Sequence, residues 1–540
     1  MNTGITYAVI KQKEFILFLA CFLGIAIVYL THLGVVPVHA MADECRRALV
    51  AMEMSISGDY LTPTINGEMY LNKPPLYSWI IASSYHLIGN YSPFALRFPV
   101  VISILINGLL IYFVVKRYTS AGVAALSALA FMTNGRTLLF DSMLGLLEHT
   151  LALLIYAGCM AIFVFGEKKK YLLLFTISYF IAALGFMIKG LPAAAHHGIA
   201  LLIYFIYTKK WKILFSGYHL AGIITFLLTI SLYYVPYFNV NHLKPEIIFS
   251  KIVNESSKRY YFYSFSDFVH VLFDYPMDFI YHFLPWTLFV LLLIRKKMFT
   301  IIKENKFVFY NALLFAANSP VYWFASLKNP HYLYFLLPFL FTVLFYIYFN
   351  EDRSTWRMKL IHAVLFAAIG IAFIASAYSP FIEKLSAIPD LYIKSGVLTG
   401  GLLILFLLNR AFYDFRLYFF VGMMIFVRLA FNWFVVPHRI AAEKVFEERA
   451  ININGIVKQD SLYIMASYPA GYYDGITYYM EKEREEILRL NSAIETNAYY
   501  LVDDIYLHIY PTETFLHFPY VYQDNNMRYE KEMYLVKFHP

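Results

Sequence analysis

The chemistry open to this chain rests on a few ionisable residues that stand where long apolar runs begin or end. Asp43, Glu44, Arg46 and Arg47 open one stretch, and Lys73 precedes the rigid pair Pro74-Pro75 in a run that closes at Tyr77. Arg136 and Asp141 flank a short turn, Lys189 stands before Gly190, and Lys328 lies in the segment Ser326 to Tyr332. A charge placed at the centre of a membrane helix costs about 2.5–3.5 kcal/mol, so such groups must pair or gather around a wet cavity. Several cations and two aspartates around one cavity suit an anionic, phosphate-bearing ligand. A carboxylate there can accept a proton or orient a reactant.

Each residue also has a plainer account. Asp43 at the start of an apparent amphipathic helix, with Leu49, Met52 and Ile56 on one face, can simply stabilise the helix amino terminus. Lys73 can snorkel to the headgroups, and Arg136 with Asp141 can be a structural ion pair. Taken together, the cations are unexpected. Short outer turns of membrane proteins are poor in Lys and Arg.

The elements that must position these residues are membrane helices. Of 540 residues, 60% are hydrophobic, 15% charged and 19% aromatic, and mean hydropathy is +0.57. A soluble domain carries about a quarter charged residues, so lipid is the main solvent here. Apolar stretches of spanning length recur about thirteen times. Alternate connections are short and basic: Lys116-Arg117, Lys168 to Lys170, Lys209 to Lys212, Arg295 to Lys297, Arg353 to Lys359, and Arg410 with Arg416. Placing these in the cytoplasm, with Lys11 and Lys13 before the first span, satisfies the positive-inside rule at every turn. The net charge of +8 therefore reports orientation and not nucleic-acid binding.

Two long loops, about 35–92 and 237–277, and a carboxy-terminal segment from about 437 then face outward. Short strand-like runs (Ser461 to Ala466, Ala498 to Val502) flank a helical candidate over Gly475 to Leu490, which predicts a small α/β domain. Asp474, Asp503 and Asp504 in that domain are expected to be solvated. The fold class is an all-α polytopic membrane protein, residues 1–436, with an extracytoplasmic α/β domain over 437–540. Cys21, Cys45 and Cys159 are too few and scattered for a disulfide framework. The first apolar run spans the membrane and is not a cleaved leader.

The ordered motifs resemble a family. Asp43-Glu44-x-Arg46, Ser57-Gly58-Asp59-Tyr60, Asn72-Lys73-Pro74-Pro75-Leu76-Tyr77 and Leu96-Arg97-Phe98-Pro99 look like the first loop of the bacterial aminoarabinose transferase and protein O-mannosyltransferase group, membrane glycosyltransferases of the GT-C fold. Arg136 to Asp141, Lys189-Gly190, Asn254-Glu255 to Arg259-Tyr260, Leu284-Pro285-Trp286 and Lys328 to Pro338 follow in the family's order, so the resemblance covers about residues 10–436. It implies transfer of a sugar from a polyprenyl-phosphate carrier to an acceptor outside the cytoplasm. Asp43 and Asp141 would be the catalytic carboxylates. Lys73, Arg46, Lys189, Arg259 and Lys328 would gather around the carrier phosphate, supported by Glu44, Arg136, Tyr77, Glu255 and Tyr332.

Relatives in the aminoarabinose branch carry a Glu and a His, linked to a divalent metal, where this chain has Asn72 and Ser256. Amide and hydroxyl groups are poor transition-metal ligands, so no metal or other cofactor is expected. His86, His196 and His197 are read as structural. The expected setting is the bacterial cytoplasmic membrane, with the amino terminus inside, the site and carboxy-terminal domain outside, and a monomeric state. A multi-span transporter or flippase for a lipid-linked or anionic substrate is the competing class. It commonly shows repeated halves or broken midplane helices, and neither is evident in the sequence.

Overall fold

The computed structural model describes residues 2–38, 43–257, 265–295, 297–323, 329–465, 474–491, 493–495, 497–507, 509, 511–524 and 527–539. The apolar runs fold as helices because a helix satisfies its own backbone polar groups where water cannot. In chain order they are α1 (Asn2–Leu30), α2 (Asp43–Ser57), α3 (Leu76–Ile88), α4 (Pro93–Tyr118), α5 (Ala121–Thr133), α6 (Gly135–Leu139) and α7 (Glu148–Glu167). Next come α8 (Tyr171–Lys189), α9 (Leu191–Tyr207), α10 (Gly217–Asn241), α11 (Pro245–Ser257), α12 (Phe265–His282), α13 (Met298–Glu304) and α14 (Lys306–Trp323). The bundle closes with α15 (Leu337–Phe349), α16 (Trp356–Tyr378), α17 (Leu391–Ala411) and α18 (Arg416–Ala430).

Among the described residues, nine helices are long and apolar enough to cross a membrane, or ten if α5 and the bent α6 segment count as one. The chain is an integral membrane protein. The other expected crossings have a physical reason for falling short. α9 has only 17 residues, Trp286–Leu293 winds as a 3-10 helix, and α14 carries Pro320 and buries Asn311, Asn318 and Ser319.

Local signals fix the helix ends near the outer turns. Ser92 caps α4 by accepting from Ala95 N, and Asn134 caps α6 by accepting from Thr137 N. Gly190 separates α8 from α9 at φ 80 and ψ −140, a conformation essentially closed to other residues, and so ends α8 at Lys189.

The first long loop holds α2 and a two-residue hairpin, β1 (Thr64–Ile65) with β2 (Glu68–Met69). Its turn is Asn66-Gly67, both at positive φ, as the tightest hairpin turn requires. Glu53 of α2 grips this turn: its carboxylate accepts from Asn66 N at 2.5 Å, Thr64 Oγ1 at 2.6 Å and Gly67 N at 3.2 Å.

The carboxy-terminal region begins without a loop. α18 passes through a π turn (Phe431–Val435) directly into α19 (Val436–Val457). Then follow β3 (Leu462–Met465), α20 (Asp474–Arg484), β4 (Tyr499–Asp503), α21 (Asp504–Leu507), β5 (Thr512–Asp524) and β6 (Met527–Phe538). The sheet order is β3-β4-β6-β5, with β3 parallel to β4 and the other pairs antiparallel. Side chains alternate between its faces. Tyr500, Val502, Val536 and Phe538 form a small core of their own, whereas Tyr499, Leu501 and Leu535 join the main core that contains the spans. Asp503 is buried at the end of β4 and not solvated as expected, because its strand is covered on both sides.

The region docks onto the first loop. Asn66 Nδ2 donates to Glu481 Oε1 at 3.4 Å, Leu490 N to Asn66 O at 3.3 Å, and Tyr479 Oη to Val38 O at 2.7 Å. Glu481 is fully buried, and desolvation together with nearby Glu53 holds its carboxyl well above the usual range. Burial also pushes Glu53 up to about 7.

Candidate functional site

α2 is clamped at both ends, and the clamp at its start sets the candidate site. Glu44 accepts from Arg97 Nε at 2.7 Å, Arg97 Nη2 at 3.0 Å and Gly145 N at 2.7 Å. Arg97 also donates to the carbonyls of Leu33, Val36 and Pro37. Both side chains are at most 1% exposed. Their role is to tie α2 to α4 and to the turn before α7.

Asp43, one residue earlier, points differently. Its side chain is 56% exposed and meets Arg46 at 3.5 Å. Partial desolvation pushes its carboxyl up, but Arg47 and Arg46 outweigh this and hold it below the usual carboxylate range. Lys73 and Glu148 lie within electrostatic range of it. Arg47 is buried and donates to Tyr70 Oη at 3.1 Å, which fixes it beneath the loop. Lys73 lies with Tyr70, Tyr233 and Tyr237 around a niche of about 20 Å³.

On the facing side, the turn between α6 and α7 brings Asp141 inward. Asp141 Oδ2 accepts from Arg136 Nε at 2.9 Å and from Tyr334 Oη at 2.6 Å. Oδ1 is buried with no hydrogen-bond partner among the described residues. Next to it His149 stacks on Tyr334 at 4.1 Å between ring centroids, and neither ring nitrogen has a partner. Lys189 reaches Glu148 Oε1 at 2.7 Å, and its ammonium sits 3.9 Å from the centre of the Tyr332 ring. His331 lies within electrostatic range of Glu148, Asp141, Lys189 and Arg136.

The structure thus joins Asp43, Arg46, Lys73, Lys189, Asp141, Arg136 and Tyr332 into one electrostatic neighbourhood bridged by Glu148 and His331. Glu44 and Tyr77 stand in its wall, Tyr77 Oη donating to Leu146 O at 2.8 Å. Arg259 and Lys328 lie outside the described residues, as does the side chain of Glu255. Glu148, His149, His331 and Tyr334 were missed in the sequence, and Arg47 was noticed there without being given a role. The available signal was a Glu-His pair opening an otherwise apolar span, where ionisable groups are costly.

The three histidines expected to be structural are partnered within the protein. His86 meets Tyr60 Oη at 2.5 Å, His196 meets Asn318 and Tyr322, and His197 meets Ser178.

Comparison with known proteins bears on the fold and the resemblance. Residues 72–234 match the dolichyl-phosphate-mannose-protein mannosyltransferase family. An undecaprenyl phosphate-alpha-4-amino-4-deoxy-L-arabinose arabinosyl transferase from Edwardsiella ictaluri is 29% identical over 195 residues, 35% of this chain and 34% of that protein. A second enzyme of that name, from Proteus mirabilis, is 31% identical over 174 residues, 31% of each. The matched segment therefore spans about a third of the length of these curated relatives. ArnT from Cupriavidus metallidurans, crystallised with undecaprenyl phosphate, superposes with a TM-score of 0.68 at 18% identity, covering 99% of this chain and 98% of that one. The resemblance read from the motifs is borne out, and the fold is of the GT-C type.

Proposed function

We propose that this chain is a membrane glycosyltransferase that moves a sugar from a polyprenyl-phosphate carrier to an acceptor outside the cytoplasm. The observation that carries the reading is the convergence of Asp43 and Asp141 with Arg46, Lys73 and Lys189 at one boundary of the bundle. In such a transfer the bond between the anomeric carbon and the carrier phosphate oxygen breaks, and a bond from an acceptor oxygen forms. The electron pair stays on the phosphate, whose growing charge is stabilised by preorganised cations in a water-poor pocket. Lys73, Arg46 and Lys189 have that role, with Arg259 and Lys328 as further candidates.

Asp43 is held ionised by Arg47 and Arg46. So stabilised it is a weak base, and it takes the proton of a hydroxyl acceptor only as that oxygen attacks. A phosphate acceptor needs no deprotonation, and Asp43 then orients it. Asp141, held by Arg136 and Tyr334 with one oxygen unpartnered, positions the sugar or the acceptor.

The relatives are named for an aminoarabinose carrier and the matched family for a mannose carrier, so pentosyl and hexosyl donors both belong in the assay. Acceptors to offer are lipid A, other glycolipids and protein. The reading places residues 437–540 and the site outside the cytoplasmic membrane of a bacterium, with the amino terminus inside and a monomer as the working unit. It includes no resident metal, because Asn72 and Ser256 are poor ligands; treatment with a chelator should leave turnover unchanged. Purified protein given both carriers should release free polyprenyl phosphate only when an acceptor is present. Release that persists at the full rate in Asp43→Ala would remove that residue from the mechanism.

A further inference from the structure

On the other flank of the Asp141 turn lies a second group of cations, and it is built differently. Arg428 of α18 is fully buried, and its Nη1 donates to Leu138 O and to Ser142 Oγ, the latter at 3.1 Å. Its Nε and Nη2 have no partner. Its guanidinium lies 5.2 Å from the Tyr29 ring centre and 5.8 Å from that of Phe431. Arg439 of α19, exposed, lies 5.0 Å from the same Phe431 ring and 5.0 Å from Phe140. The two guanidinium groups therefore share one aromatic ring. His32, just past α1, has a buried Nδ1 without a partner, and it lies within electrostatic range of Arg428 and of Lys394 in α17. Lys394 donates to Pro389 O at 2.7 Å.

Four cations described at the candidate site have carboxylate partners: Arg97 has Glu44, Arg136 has Asp141, Lys189 has Glu148 and Arg46 has Asp43. Among the described residues, no carboxylate pairs with His32, Lys394, Arg428 or Arg439. The charges of Lys394, Arg428 and Arg439, gathered this way with Arg428 fully buried, are unfavourable unless an anion joins them, and burial together with these neighbours keeps His32 an uncharged hydrogen-bonding group. The rim of the group is exposed and apolar, with Val35, Phe140, Tyr392, Ile393 and Val435 at the surface. That surface suits acyl chains, at the depth where headgroups begin.

We propose that His32, Lys394, Arg428 and Arg439 form a niche for the phosphate of an outer-leaflet lipid headgroup, distinct from the carrier-phosphate cations. Exposed Arg439 supplies charge-assisted bonds to phosphate oxygens, Arg428 adds its charge from behind the shared Phe431 ring, and the rim takes the lipid chains. Leu138 and Ser142 bracket Asp141, so occupancy braces the turn from behind. The inference needs the membrane setting but not glycosyl transfer.

The test uses the full-length protein, native mass spectrometry, and detergent micelles supplemented with phosphatidylglycerol, with phosphatidylcholine or with inorganic phosphate alone. The wild type should retain phosphatidylglycerol over phosphatidylcholine by roughly tenfold or more, as charge-assisted contacts to phosphate imply. The double variant Arg439→Gln, Lys394→Gln, changed only at side chains outside the core, should lose that preference while melting at an unchanged temperature. Arg439→Lys should keep part of it. Equal retention of both lipids, or an unchanged preference in the double variant, overturns the proposal. So does displacement of the lipid by millimolar inorganic phosphate, which would mark a free-anion site. Carrier release by the same samples is read separately, so failure of the glycosyltransferase reading would leave this result standing.

Discussion

The Glu44–Arg97 and Asp141–Arg136 pairs lie close together, and both bury a carboxylate against an arginine. They are finished to different degrees. Around Glu44 and Arg97, three donors reach the carboxylate and three carbonyls accept from the guanidinium. Around Asp141, one oxygen carries both bonds, the other carries none, and the neighbouring His149 has two unpartnered nitrogens. Buried polar groups are normally satisfied, and exceptions call for a functional explanation. A saturated pair has no valence left for a ligand. An unsaturated one keeps part of its hydrogen-bonding capacity for something else, at a cost in stability. Charge in a membrane protein is thus not by itself a mark of a site; incomplete satisfaction is the better one.

The sharpest way to break this contrast is Arg97→Leu. It leaves Glu44 buried and uncompensated, and removing one partner of a buried pair costs about 3–5 kcal/mol. Most of the folded protein should be lost, seen as aggregation on size exclusion and a large fall in melting temperature. Asp141→Asn should do the opposite: melting unchanged or raised, with turnover down on the order of 10²-fold, as expected for a displaced catalytic or orienting carboxylate. If both variants lose stability equally, the distinction between the pairs is wrong. Tyr334→Phe removes one bond to a charged oxygen, so kcat should fall roughly tenfold with the fold intact. Circular dichroism alongside initial rates separates the two effects.

The smallest effect concerns Glu53, an intermediate case. Neutral donors satisfy its carboxylate, but no cation bonds to it. Its folded pKa, about 7, lies above the ordinary value of 4.5. A carboxyl raised on folding favours the folded state fully below 4.5, and that contribution is lost as pH climbs through about 7. Docking of the Asn66-Gly67 turn on α20 should therefore loosen between those values, by a few degrees of melting temperature. Glu53→Gln should flatten the dependence; a slope that survives the substitution would place its origin elsewhere.

Much of the bundle was legible because lipid imposes one strong rule, long apolar runs. The site was legible where its partners are close in sequence, as with Asp43 and Arg46 or Arg136 and Asp141. It was illegible where they are distant. Lys189 showed its charge but not its partner Glu148, which lies at the far end of the preceding span. Arg97 was noticed within a motif, yet nothing local tells that Glu44 faces it. Hydropathy does not show that Trp286–Leu293 winds as a 3-10 helix. The hairpin of β5 and β6 went unnoticed because charged residues interrupt its apolar alternation. Asp503 was misjudged because β4 is an interior strand, flanked by β3 and β6, and its burial depends on neighbours distant in sequence.

The helical passage from Arg416 through the π turn to Val457 has a mechanical consequence. At 1.5 Å per residue it is a rod of about 60 Å, anchored among the spans at one end and in the outer sheet at the other. A rod has no slack. Any twist of α18 inside the bilayer is delivered as torque to the sheet, and a load on the sheet returns along the same shaft to Arg428 and the turn it braces. A protease would find no loop between α18 and α19 at which to cut.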